Sequence, residues 1–233
     1  MVRDRVALFG IALTAACGAA PPPEHAHGGE HATPPAHGTM HEMPHRFEHA
    51  EDWLGRFEGP ARDAWQRPDE VVRLLAITPG MTVADVGTGT GYFLARLSRA
   101  VGPTGAVLAL DVEADMIRYV RERATREALA NVRADVVAPD DPRLPAGKVD
   151  RVLIVDTWHH VGDRDAYARK LAAGLVPGGA VYVVDFTMEA HEGPPPHARV
   201  KPDEVIATLA KAGLRAELVA EDLPEQYVVV GRR

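Results

Sequence analysis

Cysteine is almost missing from this chain: one residue, Cys17, occurs in 233. No disulfide can close within the chain, and no thiolate cluster can hold a metal. From residue 18 onward there is no thiol at all, which removes any chemistry that needs cysteine coordination. Runs of basic residues and basic–aromatic interleaving are also missing, and the formal charge is -7. A surface made to neutralise a phosphate backbone needs the opposite balance, so nucleic acid is not expected as a partner. Long apolar runs are absent too. The longest at the N-terminus, Val6 to Ala16, has 11 residues and is too short to span a bilayer as a helix.

That short run has a context of its own. Arg3 and Arg5 precede it, and Ala15 and Ala16 lead into Cys17. Basic start, apolar stretch and small residues form the plan of an export signal. Leu13-Thr-Ala-Ala-Cys17 resembles the lipobox of bacterial lipoproteins, with Thr14 and Asp4 as small departures. The resemblance implies a lipidated Cys17, and an exported protein anchored on the periplasmic face of the cell envelope. Acyl chains contribute roughly 0.8 kcal/mol per buried methylene, enough for stable anchoring when several are present. A misplaced start codon would instead leave the protein cytoplasmic.

Residues 18–52 read as a spacer. Pro21-Pro22-Pro23, Pro34-Pro35 and scattered glycines leave nothing apolar to bury, so no packed structure is expected there. Seven of the eleven histidines lie in it: His25, His27, His31, His37, His41, His45 and His49. Neutral imidazole ligates zinc, copper or nickel, and Met40 and Met43 add thioethers suited to cuprous copper. His37, His41 and His45 are the candidate metal ligands. A polar linker that is merely histidine-rich has the same composition.

Residues 53–233 carry the core. Phe47, Trp53, Leu54 and Phe57 suggest a short amphipathic lead-in, and Pro68 opens a helix to Ile77 with Asp69 and Glu70 in its first turn. Strand-like runs follow at 82–86, 106–112, 132–137, 149–156 and 180–186. Helix-like segments separate most of them, at 92–101, 114–129 and 164–175. A helix at 202–212 and strands at 214–220 and 226–230 complete the chain. Near-continuous apolar strands with helical crossovers predict a Rossmann-like α/β fold: a mostly parallel seven-stranded sheet, helices on both faces, and an antiparallel C-terminal hairpin. Ligands of such sheets bind beyond the carboxyl ends of the strands. Acids gather there: Asp85 before a glycine loop, Asp111, Asp140 or Asp141, and Asp156.

The loop Asp85-Val-Gly87-Thr-Gly89-Thr-Gly91-Tyr92 departs from a dinucleotide fingerprint, because Tyr92 occupies the place of the third glycine. A carboxylate just ahead of the loop suits an ammonium better than a pyrophosphate. With Val107-Leu-Ala-Leu-Asp111 and Leu175-Val-Pro177-Gly178-Gly179 in order, Pro68 to Arg233 resembles the class I S-adenosylmethionine-dependent methyltransferases. The resemblance implies that Asp85 and Gly87 lie against the methionine end of the cofactor, with Gly89 and Gly91 giving backbone clearance. It implies that Asp111 accepts from the ribose hydroxyls and that Asp140, in preference to Asp141, meets the adenine. The Leu175–Gly179 stretch would be the turn before strand five. The segment after strand four, Asp156-Thr157-Trp158-His159-His160, would line the transfer site, with His160 or His159 as general base.

Proximity alone supplies much of the rate in such an in-line displacement, so a base is not obligatory. His191, His197 and Arg199, in the connection after strand five, are further candidate substrate contacts, and 57–65 is a candidate cover over the cofactor. The implied acceptor is a small molecule. Export would separate the enzyme from the cytoplasmic pool of S-adenosylmethionine. The alternative is therefore a membrane-anchored, non-enzymatic lipoprotein that binds a cofactor or metal on the same fold.

Overall fold

The computed structural model describes Phe47 and residues 49–233. Cys17 and the candidate metal ligands His37, His41 and His45 lie outside the described residues. After a single 3-10 turn (Ala50–Trp53) the helices are α1 (Leu54–Phe57), α2 (Pro60–Gln66), α3 (Pro68–Leu74), α4 (Leu94–Val101), α5 (Ala114–Arg126), α6 (Arg164–Gly174) and α7 (Pro202–Lys211). The strands are β1 (Thr82–Val86), β2 (Ala106–Asp111), β3 (Val132–Val136), β4 (Val149–Val155), β5 (Leu175–Phe186), β6 (Arg215–Val219) and β7 (Gln226–Arg232). They form one sheet in the order β3-β2-β1-β4-β5-β7-β6. The first five run parallel, and β7 is antiparallel to both β5 and β6. The expected fold class is the observed one.

The apolar runs read as they do because both sheet faces are covered. Successive strand residues point to opposite faces. Val83 and Leu153 pack on one side with Val71 and Leu75 around α3 and Leu97 and Val101 of α4. Their neighbours Ala84, Val152 and Ile154 pack on the other with Leu171 of α6 and Leu209 of α7. Each fully buried Val, Leu or Ile contributes roughly 1.5–3 kcal/mol, so the central strands dominate the stability. Among the described residues no helix is long and apolar enough to cross a membrane.

Most boundaries differ from the sequence reading by a residue or a few, and three of the differences have a visible cause. α3 stops at Leu74 rather than Ile77, because Ala76 turns into the left-handed region at φ 47°. β5 begins at Leu175, which pairs with Val149, before the register jumps to Arg151 opposite Ala180. Val176–Gly179 are thus extra residues within a strand, not a turn ahead of it. Packing also extends upstream of Trp53. Phe47, Trp53 and Phe57 form a ring cluster with centroids 4.8–5.7 Å apart, and the buried Ala50 donates its N–H to Asp115 Oδ2 at 2.7 Å.

The order of the sheet reverses between β1 and β4, which opens a crevice at their carboxyl ends. Gly87, at φ +76°, makes the close approach there possible: a Cβ on it would lie 2.2 Å from Thr157 Oγ1, in the loop after β4. Gly87→Ala is expected to cost about 1–3 kcal/mol through backbone strain, with a further loss from the collision. Gly147, at φ +62° with nothing within 4 Å of its virtual Cβ, would bear the strain alone. Thermal denaturation should show a larger fall in Tm for Gly87→Ala than for Gly147→Ala; equal falls would mean that Thr157 does not constrain the loop.

Candidate functional site

The carboxyl end of β1 delivers Asp85, buried, into the start of the glycine loop. Thr88 Oγ1 donates to its Oδ2 at 2.8 Å. Burial pushes this carboxyl up to about 6; the Asp111 charge pushes the same way, while the Thr88 hydrogen bond and Arg62 oppose it. At the end of β2, Asp111 accepts from the backbone N–H of Gly89 at 2.8 Å and of Glu113 at 3.0 Å, one on each oxygen. Burial raises it as well, against those backbone hydrogen bonds. The acid thus holds the glycine loop to β2. A carboxylate has about four lone-pair directions, so two remain for further hydroxyl donors. Inside the loop, Thr90 Oγ1 is buried without a hydrogen-bond partner.

The end of β4 carries the second half of the site. Asp156, at φ +52°, meets Arg62 Nη2 at 3.0 Å through Oδ2 and Gln226 Nε2 through Oδ1. Burial pushes Asp156 up to about 6, with Arg62 the main opposing charge and Asp185 reinforcing the rise. The fully buried Gln66 accepts from Arg62 at 3.1 Å and donates to Gln226 Oε1 at 2.5 Å. α2 therefore lies over the crevice, tied to β7 through Gln66 and to the glycine loop through Asp63, which accepts from Tyr92 Oη. Phe57 is the side chain nearest to a virtual Cβ on Gly89, at 3.8 Å. Gly91, at φ +84°, packs against Leu94 and Val120.

Arg62, Gln66 and Gln226 are site residues that the sequence reading did not single out, although it placed 57–65 near the crevice. Arg62 and Gln66 are four apart and share one face of α2. That pairing was visible, but nothing in the sequence says that this face meets Asp156.

The two histidines after β4 have different surroundings. His159 is nearly buried, with Nδ1 2.9 Å from Asp185 Oδ1 on β5 and its backbone N–H donating to Asp185 Oδ2 at 3.1 Å. His160 is exposed, with its ring 4.2 Å from that of His159. Trp158 is fully buried packing.

The remaining candidates make contacts other than those just described. Asp140 is 83% exposed in a turn, 3.6 Å from Lys170 Nζ, and Asp141 is 3.8 Å from the same ammonium. His191 is 91% exposed beside Glu225, and His197 is exposed. Arg199 is a staple for its own loop, donating to the carbonyls of Thr187, Met188, Ala190, Glu192 and Pro194. Among the described residues no three His, Cys, Asp or Glu side chains are placed to hold a metal ion.

The donor set fits S-adenosylmethionine. Asp111 has lone pairs left for ribose hydroxyls, and Asp85 and Asp156 offer carboxylates to an ammonium. The Nε–H of Arg62 and the hydroxyl of Thr90 are buried polar groups with no partner.

Comparison with known proteins agrees with this geometry. Residues 83–179 match a family model described as a methyltransferase domain. The ubiquinone/menaquinone biosynthesis C-methyltransferase UbiE of Shewanella frigidimarina is 30% identical over 129 residues, 55% of this chain and 51% of that protein. UbiE of Pseudomonas putida is 31% identical over 125 residues, 53% of this chain and 48% of its own length. The chain thus spans about half the length of these curated relatives. A solved SAM-dependent methyltransferase from Aquifex aeolicus has 29% identity and a TM-score of 0.73, covering 78% of this chain and 97% of that one. The [4+2]-cyclase SpnF, at 16% identity and a TM-score of 0.60 over 71% of this chain and 80% of its own, shares the fold alone. The matched segment and the fold support a class I methyltransferase domain.

The buried acids give the site a pH dependence of defined sign. Asp85 and Asp156 titrate near 6, and an arriving ammonium favours their ionised forms. Binding then lowers their pKa and releases protons, so affinity for S-adenosylhomocysteine should rise from about pH 5 to about pH 7 and then level off. Calorimetry in buffers of different ionisation enthalpy would read the released protons, and Asp85→Asn should shrink the rise. A flat profile would show that these carboxyls do not face the ligand.

Proposed function

We propose that the protein is an S-adenosylmethionine-dependent methyltransferase acting on a small-molecule acceptor. The observation that carries this reading is the meeting of Asp85, the glycine loop and Asp111 at the carboxyl ends of β1 and β2, within the segment that matches a methyltransferase domain. Asp85 and Gly87 take the methionine end, Gly89 and Gly91 admit the nucleoside, and Asp111 accepts the ribose hydroxyls. Asp156 completes the acidic side of the pocket, and Asp140 is assigned to the adenine from the family resemblance alone.

When bound, the cofactor supplies a methyl group on a positively charged sulfur, which leaves as a neutral thioether. The chain's part is to orient the acceptor and to remove the proton that methylation makes acidic. His159 is suited to the second task. Asp185 takes the Nδ1 proton into a hydrogen bond, leaving Nε2 with the lone pair. His160 stands beside it as the exposed alternative. The curated relatives are named as C-methyltransferases of quinone biosynthesis. An acceptor with an activated carbon or a hydroxyl would suit the same base.

Titration calorimetry of the protein with S-adenosylmethionine should reveal one site, weakened at least about tenfold by Asp111→Ala through loss of the ribose hydrogen bonds. No binding by the unaltered protein would reject this function; unchanged binding by the variant would reject the site.

We also propose that Cys17 carries lipid and anchors the protein to the periplasmic face of the bacterial cell envelope. This rests on the basic start, apolar run and lipobox-like Leu13–Cys17. Detergent phase partitioning should move the protein into the aqueous phase on Cys17→Ser. The same partitioning for both forms would end that proposal.

A further inference from the structure

We propose that Arg62, on the helix lying over the glycine loop, receives the carboxylate at the amino-acid end of the bound cofactor. This rests on the S-adenosylmethionine reading above and adds to it a residue outside the matched segment 83–179.

A guanidinium has five N–H donors in a fixed fork. In Arg62, Nη1 donates to the Phe57 carbonyl at 2.9 Å, and Nη2 to Gln66 at 3.1 Å and Asp156 at 3.0 Å. The Nε–H is buried and has no partner. Such a donor is normally satisfied, and a vacant one on a cation calls for an acceptor, preferably an anion. The side chain is only 12% exposed, and the guanidinium carbon lies 4.3 Å from the centre of the Tyr92 ring, directly after the glycine loop. Trp65 lies 5.7 Å away. The group is therefore fixed within the crevice and shielded from bulk water, where a charge-assisted hydrogen bond is strongest.

Charge balance points the same way. Asp85, Asp156 and Asp185 end three adjacent strands, and the Arg62 charge acts on both Asp85 and Asp156. An amino-acid end brings one ammonium and one carboxylate. The acids can receive the first, but the second needs a cation among them. Two other arginines beside the glycine loop have acidic partners of their own: Arg123 with Glu58 and Glu127, and Arg96 with Asp69. Asp156 keeps its hydrogen bond from Gln226 if Arg62 turns part of its fork to an incoming carboxylate. Asp156 is then available to the ammonium.

Decarboxylated S-adenosylmethionine keeps the sulfonium, the ammonium and the nucleoside and lacks only the carboxylate. In calorimetry the unaltered full chain should bind S-adenosylmethionine at least about tenfold more tightly than this analogue. Arg62→Gln should weaken the carboxylate-bearing ligand roughly 10- to 100-fold, as expected for a lost hydrogen bond to a charged group, and the analogue by no more than about threefold. Arg62→Lys should recover part of the difference, since it restores the charge without the fork. If the unaltered protein binds neither ligand, the cofactor reading fails and this assignment with it. If it binds S-adenosylmethionine but Arg62→Gln weakens both ligands equally, Arg62 only holds α2 in place and the assignment is overturned. Undiminished affinity of Arg62→Gln for S-adenosylmethionine overturns it too, and would leave the guanidinium for an acceptor's carboxylate. Binding of the analogue by the variant also certifies that the variant is folded.

Discussion

Three carboxylates sit at the carboxyl ends of adjacent strands, Asp85 on β1, Asp156 just beyond β4 and Asp185 on β5, in a sheet whose interior is mostly apolar. Buried charges are costly unless each is paired or hydrogen-bonded. The architecture around the crevice meets that requirement case by case. Thr88 donates to Asp85, Arg62 and Gln226 hold Asp156, and His159 with two backbone N–H groups holds Asp185. Even so, burial pushes Asp85 and Asp156 up to about 6, and a cation beside them would favour their ionised forms.

The N-terminal segment is therefore part of the site. Among the described residues α2 supplies the one guanidinium that bonds an acid of this group, and Gln66 links it to β7. Upstream, the Phe47–Trp53–Phe57 cluster packs close by, while Ala50 and Glu51 are held by Asp115 and Arg118 of α5. The glycine loop is thus flanked by a covering helix on one side and by Asp111 beneath it. The Arg62–Asp156 contact couples this cover to the acids at the strand ends.

Most of the fold could be read from the sequence because its causes are local or periodic. Apolar runs at 82–86, 106–111 and 149–155 mark strands buried on both faces, and α5 and α6 have acids in their first turns. The errors fell where local cues mislead. Pro177-Gly178-Gly179 carries every sign of a turn, yet it is an insertion within β5, because the ladder resumes on either side of it. Arg199 is a candidate substrate contact by its place after strand five, and five carbonyls of its own loop take its donors. Of the paired histidines the sequence puts His160 ahead, whereas burial and the position of Asp185 distinguish His159.

By itself the sequence determined the order of strands and helices, the glycine loop with Asp85 ahead of it, and Asp111 one strand later, on which the proposed class of ligand rests. Each depends on neighbours a few residues away or on a repeat of two or near four, and both survive in one dimension. Tertiary structure alone decided that Arg62 meets Asp156 across 94 positions, that Gln66 meets Gln226 across 160, and that Asp185 selects His159. Those pairings arise where strand ends converge and a distant helix closes over them. Which residues share that space depends on the crossing of the chain and on the need to satisfy each buried charge.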